Sequence, residues 1–234
     1  MQNDREPIKQ PVSNRDMSPE TFYGGFYQTV ETSDAKGLFH RATHRALERG
    51  LSSTNFDSVL EVGANRGEHF RFVKHGFNKY VLTDFRKQSE YLEALADPRC
   101  EYRQANVEEL PFNDSEFDRI VCTCVLHHTV YPTTALKEMR RVLAVGGTLS
   151  VLLPCDPGWA YRSAWKLSSG RAMRKMGVSD PYLIHVQEHP QHFPGIASRI
   201  KSVFQNDKVS VKWAPIPLPI WNLNLFTVWS IIKC

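Results

Sequence analysis

The sequence predicts a doubly wound α/β fold, with a seven-stranded, mostly parallel sheet ending in an antiparallel C-terminal strand pair. Three observations predict it. From Ser58 to Pro154, short apolar runs alternate with helix-like stretches, the rhythm of βαβ units around a parallel sheet. The run "DRIVCTCVL" (118–126) is apolar almost throughout, as a strand covered on both faces must be. After residue 204, two strand-like segments follow each other with no helix between them, and such neighbours pair antiparallel.

The elements read in order as follows. Residues 1–20 are polar with mixed charges and read as a disordered tail. An aromatic patch, "TFYGGFYQ", comes next. "SDAKGLFHRATHRALERG" reads as an amphipathic helix with Leu38, Phe39, Ala42, Ala46 and Leu47 on one face and Gly50 as its stop. Residues 21–50 would thus form an N-terminal cap on a single domain spanning 21–234. "SVLEV" is the first strand, and "RGEHFRFVKHG" a helix closed by Gly76. "KYVLTD" is the second strand, and "QSEYLEALAD" a helix halted by Pro98. "CEYRQAN" is the third strand and "DRIVCTCVL" the fourth. "TTALKEMRRVLAVGG" reads as a helix ending at Gly146 and Gly147, followed by the fifth strand, "TLSVLLP". Residues 154–190 break the alternation and read as an insertion. "QHFPGIASRIKSVF" is a helix, and the last 27 or so residues give the antiparallel pair with a Pro-rich link.

Composition narrows the function classes. A chain of 234 residues with 41% hydrophobic residues fits one soluble domain with a sizeable core. A net charge of +4 is too mild to point to nucleic acid. The five cysteines (Cys100, Cys122, Cys124, Cys155 and Cys234) include no C-x-x-C pair, so no metal site is expected. Cys122 and Cys124 read as core thiols, and the cysteine pattern suits a reducing cytoplasm. The N-terminal residues lack the apolar core of a signal peptide, and no run is long enough for a membrane span.

In a doubly wound sheet, ligands bind at the carboxyl ends of the strands. Those ends carry Glu61 with the loop Gly63-Ala64-Asn65-Arg66-Gly67, then Asp84, then Asn106 and Val107, then His127 and His128. An acid ending strand two, 17 residues past Gly67, can accept from both hydroxyls of a ribose. The segments "VLEVGANRG", "YVLTD", "ANVEELPFNDSEFDRIVCTCVLHH" and "ALKEMRRVLAVGGTLSVLLP" together resemble class I S-adenosylmethionine (SAM)-dependent methyltransferases, of the small-molecule branch that includes the quinone methylases. The resemblance covers roughly residues 58–153 and implies a Rossmann-like sheet with SAM as cofactor and S-adenosylhomocysteine as product. It places Glu61 and Gly63 at the methionine part of SAM, with Asn65 and Gly67 completing the loop. It places Asp84 on the ribose, Phe85 beside the adenine, and Asn106 and the Val107 amide on the adenine. His127 and His128 would lie near the transferred methyl. Two residues depart from the family pattern. Asn65 stands where a middle glycine is usual, and should adopt positive φ or a tight turn. Asn106 stands where aspartate is frequent, and its amide oxygen can still accept.

A hydroxyl acceptor must lose a proton, and histidine is the natural base. His128 is the first choice, His192 the second and His127 the third. Neighbouring side chains face opposite ways on a strand, so His127 and His128 should not share a role. The insertion interleaves Trp159, Tyr161 and Trp165 with Arg162, Lys166, Arg171, Arg174 and Lys175. It reads as a lid for a bulky acceptor, such as a sugar or lipid-linked sugar, or as a peripheral membrane contact through 159–175. Its plainer use is a solvated helix with aromatics packed on the body. The expected reaction is direct methyl transfer to a small-molecule or glycan acceptor, most readily at oxygen. A nicotinamide-dependent oxidoreductase is the rival, but positions 68 and 69 are Glu and His where it would want its third glycine. A SAM-binding module without activity is another. A nucleic-acid methyltransferase is disfavoured, because "LHHTVYP" after strand four is not an N/D-P-P-Y/F motif.

Overall fold

The computed structural model describes residues 34–86 and 96–234. The expected tail, the aromatic patch and most of the helix after the second strand lie outside the described residues. The chain runs α1 (Asp34–Leu47), β1 (Asn55–Val62), β2 (Gly76–Asp84), β3 (Cys100–Gln104), β4 (Phe117–Thr123), α2 (Pro132–Val142) and β5 (Leu143–Pro154). Three inserted helices follow, α3 (Trp159–Leu167), α4 (Ser169–Lys175) and α5 (Pro181–Glu188). Then come α6 (Phe193–Val203), β6 (Lys208–Ala214) and β7 (Phe226–Ile232). The strands form one seven-stranded sheet in the order β3-β2-β1-β4-β5-β7-β6. β1 pairs parallel with both β2 and β4, and β7 lies antiparallel between β5 and β6. The chain therefore reverses its direction of travel between β1 and β4, the switch point where such sheets bind ligands.

The central strands are apolar on both faces because both faces are covered. Leu60, Val62, Ile120, Cys122, Val151 and Leu153 meet α2 and α6 on one side. Val59, Val121 and Leu152, their neighbours in sequence, join Leu47, Tyr80, Phe226 and Val228 on the other. Cys122 is a core thiol as expected, its pKa pushed up to about 12 by burial. Cys124 lies just beyond the strand, with φ +57.

Three local expectations are corrected. The stretch 66–76 is not a helix. Gly67 (φ +72) interrupts it, only Phe70–Phe72 makes a short 3₁₀ turn, and Gly76 opens β2. Tertiary contacts pull it out of helical form: His69 and His75 are buried, and Phe70 packs edge-on against Phe77 and Tyr80. α2 stops at Val142 instead of reaching Gly147. Leu143 enters the sheet opposite Phe117, and the C-terminus takes the following backbone groups, with Gly146 N–H donating to Lys233 O (2.8 Å) and Lys233 N–H to Gly147 O (3.1 Å). On α1, Leu47 is buried and Phe39 stacks edge-on to Phe226, but Ala42 is exposed.

The buried side of α1 is unexpectedly polar, with Thr43, His44 and Glu48 among its residues. Glu48 accepts from Arg119 Nη2 (2.8 Å) and bonds His69 Nε2 (3.1 Å). Arg119, fully buried on β4, also donates to His75 Nε2 and Ser150 Oγ. His69 Nδ1 meets His44 Nδ1 at 2.9 Å, and His44 Nε2 meets His40 Nε2 at 2.9 Å. One set of neutral tautomers satisfies this chain: His69 donates to Glu48, His44 to His69 and His40 to His44. Each buried polar group thus has a partner, the condition under which burial is tolerated.

Candidate active site at the carboxyl ends of the strands

The loop after β1 is held in a shape its residues are suited to. Gly63 has φ +64, and a Cβ there would lie 2.2 Å from Val125 Cγ2, so no other residue fits. Asn65 has φ +47, the left-handed backbone expected of it. Its backbone N–H donates to Asp84 Oδ2 (2.9 Å), and its side chain donates to Glu68 Oε1 (2.9 Å). Asn65 thus ties the loop to the end of β2 and also braces its own turn. Asp84 Oδ1 accepts from the Arg86 N–H. Each carboxylate oxygen takes one backbone donor and retains acceptor capacity for a ligand hydroxyl. Glu61 is buried beneath the loop, where it accepts from Tyr80 Oη (2.7 Å). Burial, only partly countered by His69 and the Tyr80 hydrogen bond, raises its pKa.

The ends of β2 and β3 are joined by Ala105 N–H donating to Asp84 O (2.9 Å), which brings Asp84, Phe85, Asn106 and Val107 to one rim. Phe85 is 72% exposed, far more than a packing role needs. Asn106 is exposed, and its Oδ1 accepts from the Glu108 N–H (3.0 Å), closing a turn with its own backbone. Val107 is half-buried against the core.

The histidines fall into two groups. His127 and His128 face opposite ways, His127 being buried and His128 exposed, yet both rings approach His189, with centroids 5.4 and 4.7 Å away. His128 Nδ1 donates to Glu188 O (2.6 Å). Burial, with His189 nearby, lowers the pKa of His127 well below the usual value, and burial of His189 lowers its own. Burial and then His189 lower His128 as well, to about 3, although the residue is exposed, so all three are neutral at pH 7 and weak as bases. His192 stands apart, exposed at the N-terminus of α6.

The sequence reading missed Asp156, His185 and the arrangement around His189. Asp156 Oδ2 bonds His185 Nε2 (2.9 Å) and His189 Nδ1 (3.2 Å). Burial alone would raise the Asp156 carboxyl, but these two hydrogen bonds bring it well below the ordinary range. A signal existed in the i, i+4 spacing of the two histidines, which puts them on one helix face. Their acidic partner, 29 residues upstream of His185, had none.

The inserted helices fold over a cavity of about 530 Å³ lined by Trp159, Arg162, Trp165, Lys166, Arg174 and Tyr182, among others. The Arg162 guanidinium lies 4.8 Å from the Tyr182 ring centroid. A larger cavity, about 690 Å³, opens at the opposite end of the strands beside Asp114, Arg140, Arg141 and Lys233. Its arginines are already paired, Arg140 with Asp207 and Arg141 with Glu138 and Asp114. No helix among the described residues is long and apolar enough to cross a membrane.

Comparison with known proteins agrees with this geometry. Residues 60–151 match the family model described as a methyltransferase domain. A tRNA U34 carboxymethyltransferase of Nautilia profundicola is 38% identical over 96 residues, covering 38% of this chain and 31% of that protein. The ubiquinone/menaquinone biosynthesis C-methyltransferase UbiE of Xylella fastidiosa (strain M12) is 34% identical over 128 residues, covering 49% of this chain and 51% of that protein. The chain thus spans about a third to a half of the length of these relatives. The N-methyltransferase NodS of Bradyrhizobium japonicum, solved in complex with S-adenosyl-L-homocysteine, shares the fold at 13% identity, with a TM-score of 0.55 over 90% of this chain and 97% of that one. The glycine loop and Asp84 meet at the switch point of this sheet, and the match to a methyltransferase domain, residues 60–151, lies across that same region of a sheet with the fold of SAM-dependent methyltransferases.

Proposed function

We propose that this protein transfers the methyl group of SAM directly to a small-molecule acceptor, at oxygen, with the cavity under the inserted helices receiving the acceptor. The observation that carries the cofactor half of this reading is the Asn65–Asp84 hydrogen bond, which fixes the glycine loop to the acid ending β2. The donor set fits the cofactor. Asp84 has acceptor capacity for ribose hydroxyls, Gly63 leaves the backbone bare, and Phe85 offers an exposed ring beside Asn106 and Val107. Bound SAM supplies an electrophilic sulfonium methyl. The chain's residues need only position the acceptor, exclude water and take up a proton. His128, in the loop after β4, is the residue proposed to take it up, as a weak base whose pKa burial and His189 lower to about 3, and His127 and His192 are its alternatives.

Support for an anionic, ring-bearing acceptor comes from the three cations and three aromatics around the second cavity. A second reading follows from the relatives, which act on carbon or on tRNA by their names. A polar RNA could use the same cations. Calorimetry with SAM, S-adenosylhomocysteine and NAD tests the cofactor, and SAM and its product should bind while NAD does not. Binding of NAD alone would overturn the reading. An acceptor screen with labelled SAM, run over phenols, quinols, sugars and tRNA, then tests the acceptor. Label appearing only in tRNA or only on carbon would replace the oxygen assignment.

A further inference from the structure

We infer that Asp156, His185 and His189 form a binding site for a zinc-type divalent cation, which staples the inserted helices to the carboxyl end of β5. This goes beyond the methyl-transfer reading, and it reverses the expectation that the protein has no metal site. One ligand atom from each of Asp156, His185 and His189 lies within 4.8 Å of the others, and Asp156 and His185 are buried. Donors around a tetrahedral zinc stand about 3.3 Å apart, given bonds of about 2.0–2.1 Å. The distances from Asp156 Oδ2 to the two imidazoles, 2.9 and 3.2 Å, are already close to that spacing.

Hydrogen bonding alone leaves the cluster incomplete. Both imidazoles converge on the same carboxylate oxygen, while Asp156 Oδ1 is buried with no partner among the described residues. Neither nitrogen of His127 completes a hydrogen bond there either, although the ring is only 1% exposed and the Pro154 carbonyl is nearby. A cation would neutralise Asp156 here, and the buried His127 ring packs beside the site, 5.4 Å from His189 between centroids. The backbone already delivers His189 to this place, through Gln191 N–H to His127 O (3.3 Å) and Phe193 N–H to Asp156 O (2.8 Å). Two imidazoles and one carboxylate suit zinc and its first-row neighbours over magnesium or calcium, which prefer all-oxygen shells.

The test uses the full chain, stripped with a chelator and titrated with Zn²⁺ and, separately, Co²⁺. Saturation is expected at one equivalent per chain. Cobalt should show visible bands of four-coordinate nitrogen and oxygen ligation, without a thiolate charge-transfer band. Asp156→Asn and His189→Gln should each weaken Zn²⁺ binding by about 100-fold or more, since losing even an outer partner costs about 10–100-fold. Millimolar Mg²⁺ should not compete. No binding by the wild type, a thiolate band, or unchanged affinity in both variants would overturn the proposal. If a variant fails to fold, the wild-type cobalt spectrum decides alone. No methyl acceptor is used, so the result is independent of the proposed reaction.

Discussion

Gly63 and Asn65 show how one loop sets unequal demands on neighbouring residues. Gly63 needs both a positive φ and empty space beside Val125, whereas Asn65 needs only the φ. Gly63→Ala adds a left-handed penalty of about 1–2 kcal/mol and overpacking of about 1–3 kcal/mol. It should therefore lower the unfolding free energy by roughly 2–5 kcal/mol and weaken SAM binding. Asn65→Gly keeps the backbone freedom and loses only the Glu68 contact, so its cost should stay within about 1 kcal/mol. Denaturant melts of both variants check this, and equal effects would mean that the Val125 contact is not what selects glycine. The residue types in this loop were legible in the sequence. Asp84's backbone partners were not, because hydrogen bonds from Asn65 and Arg86 depend on how β1 and β2 are brought side by side.

At the scale of elements, α1 is attached to the sheet by a titratable cluster as well as by Phe39 and Leu47. His44 has its pKa lowered to about 2, first by burial and then by His40 and His69. The unfolded chain takes up that proton near 6.5, so this contribution is full above pH 6.5 and is lost as pH falls. Glu48 is also lowered to about 2. Burial would raise it, but His69 and Arg119 hold the charged form, so its contribution is full above about 4.5 and is lost on further acidification. Both act in the same direction. Stability should decline from pH 7 to 4 by about 1.4 kcal/mol per pH unit for each proton taken up on unfolding. Thermal melts across that range check it, and His44→Leu should flatten the upper part of the slope. A melting temperature constant from pH 7 to 5 would remove His44 from the account. Helical periodicity predicted the span of α1 and the core contacts of Phe39, Ala46 and Leu47, but not that Ala42 is exposed while Thr43, His44 and Glu48 are buried. Helical periodicity scores Ala42 as apolar and His44 as polar, while Arg119 and Glu48, 71 residues apart, make the polar side the one worth burying. The helix expected over 66–76 failed for the same reason, since His69 and His75 are held by this cluster.

For the whole molecule, the proposed cofactor and acceptor regions are built from different parts of the chain. The glycine loop and Asp84 belong to the first half of the sheet. The cation-rich cavity belongs to the inserted helices after β5. Reversing three charges, Arg162→Glu, Lys166→Glu and Arg174→Glu, should leave SAM affinity within about twofold while raising the KM for an anionic acceptor at least tenfold, a change of about 1.4 kcal/mol. Isothermal calorimetry and steady-state kinetics separate the two effects, and an unchanged KM would remove this cavity from the acceptor site.

The sequence alone determined the seven strands, their parallel and antiparallel senses and the residues at their carboxyl ends. These follow from local periodicity and from short motifs whose chemistry is carried within a few residues. Only the tertiary structure decided which polar groups meet. Asp156 with His185 and His189, and Glu48 with Arg119 and His69, pair across tens of residues, and such pairing is set by where the sheet places each strand end, not by any pattern local to the chain.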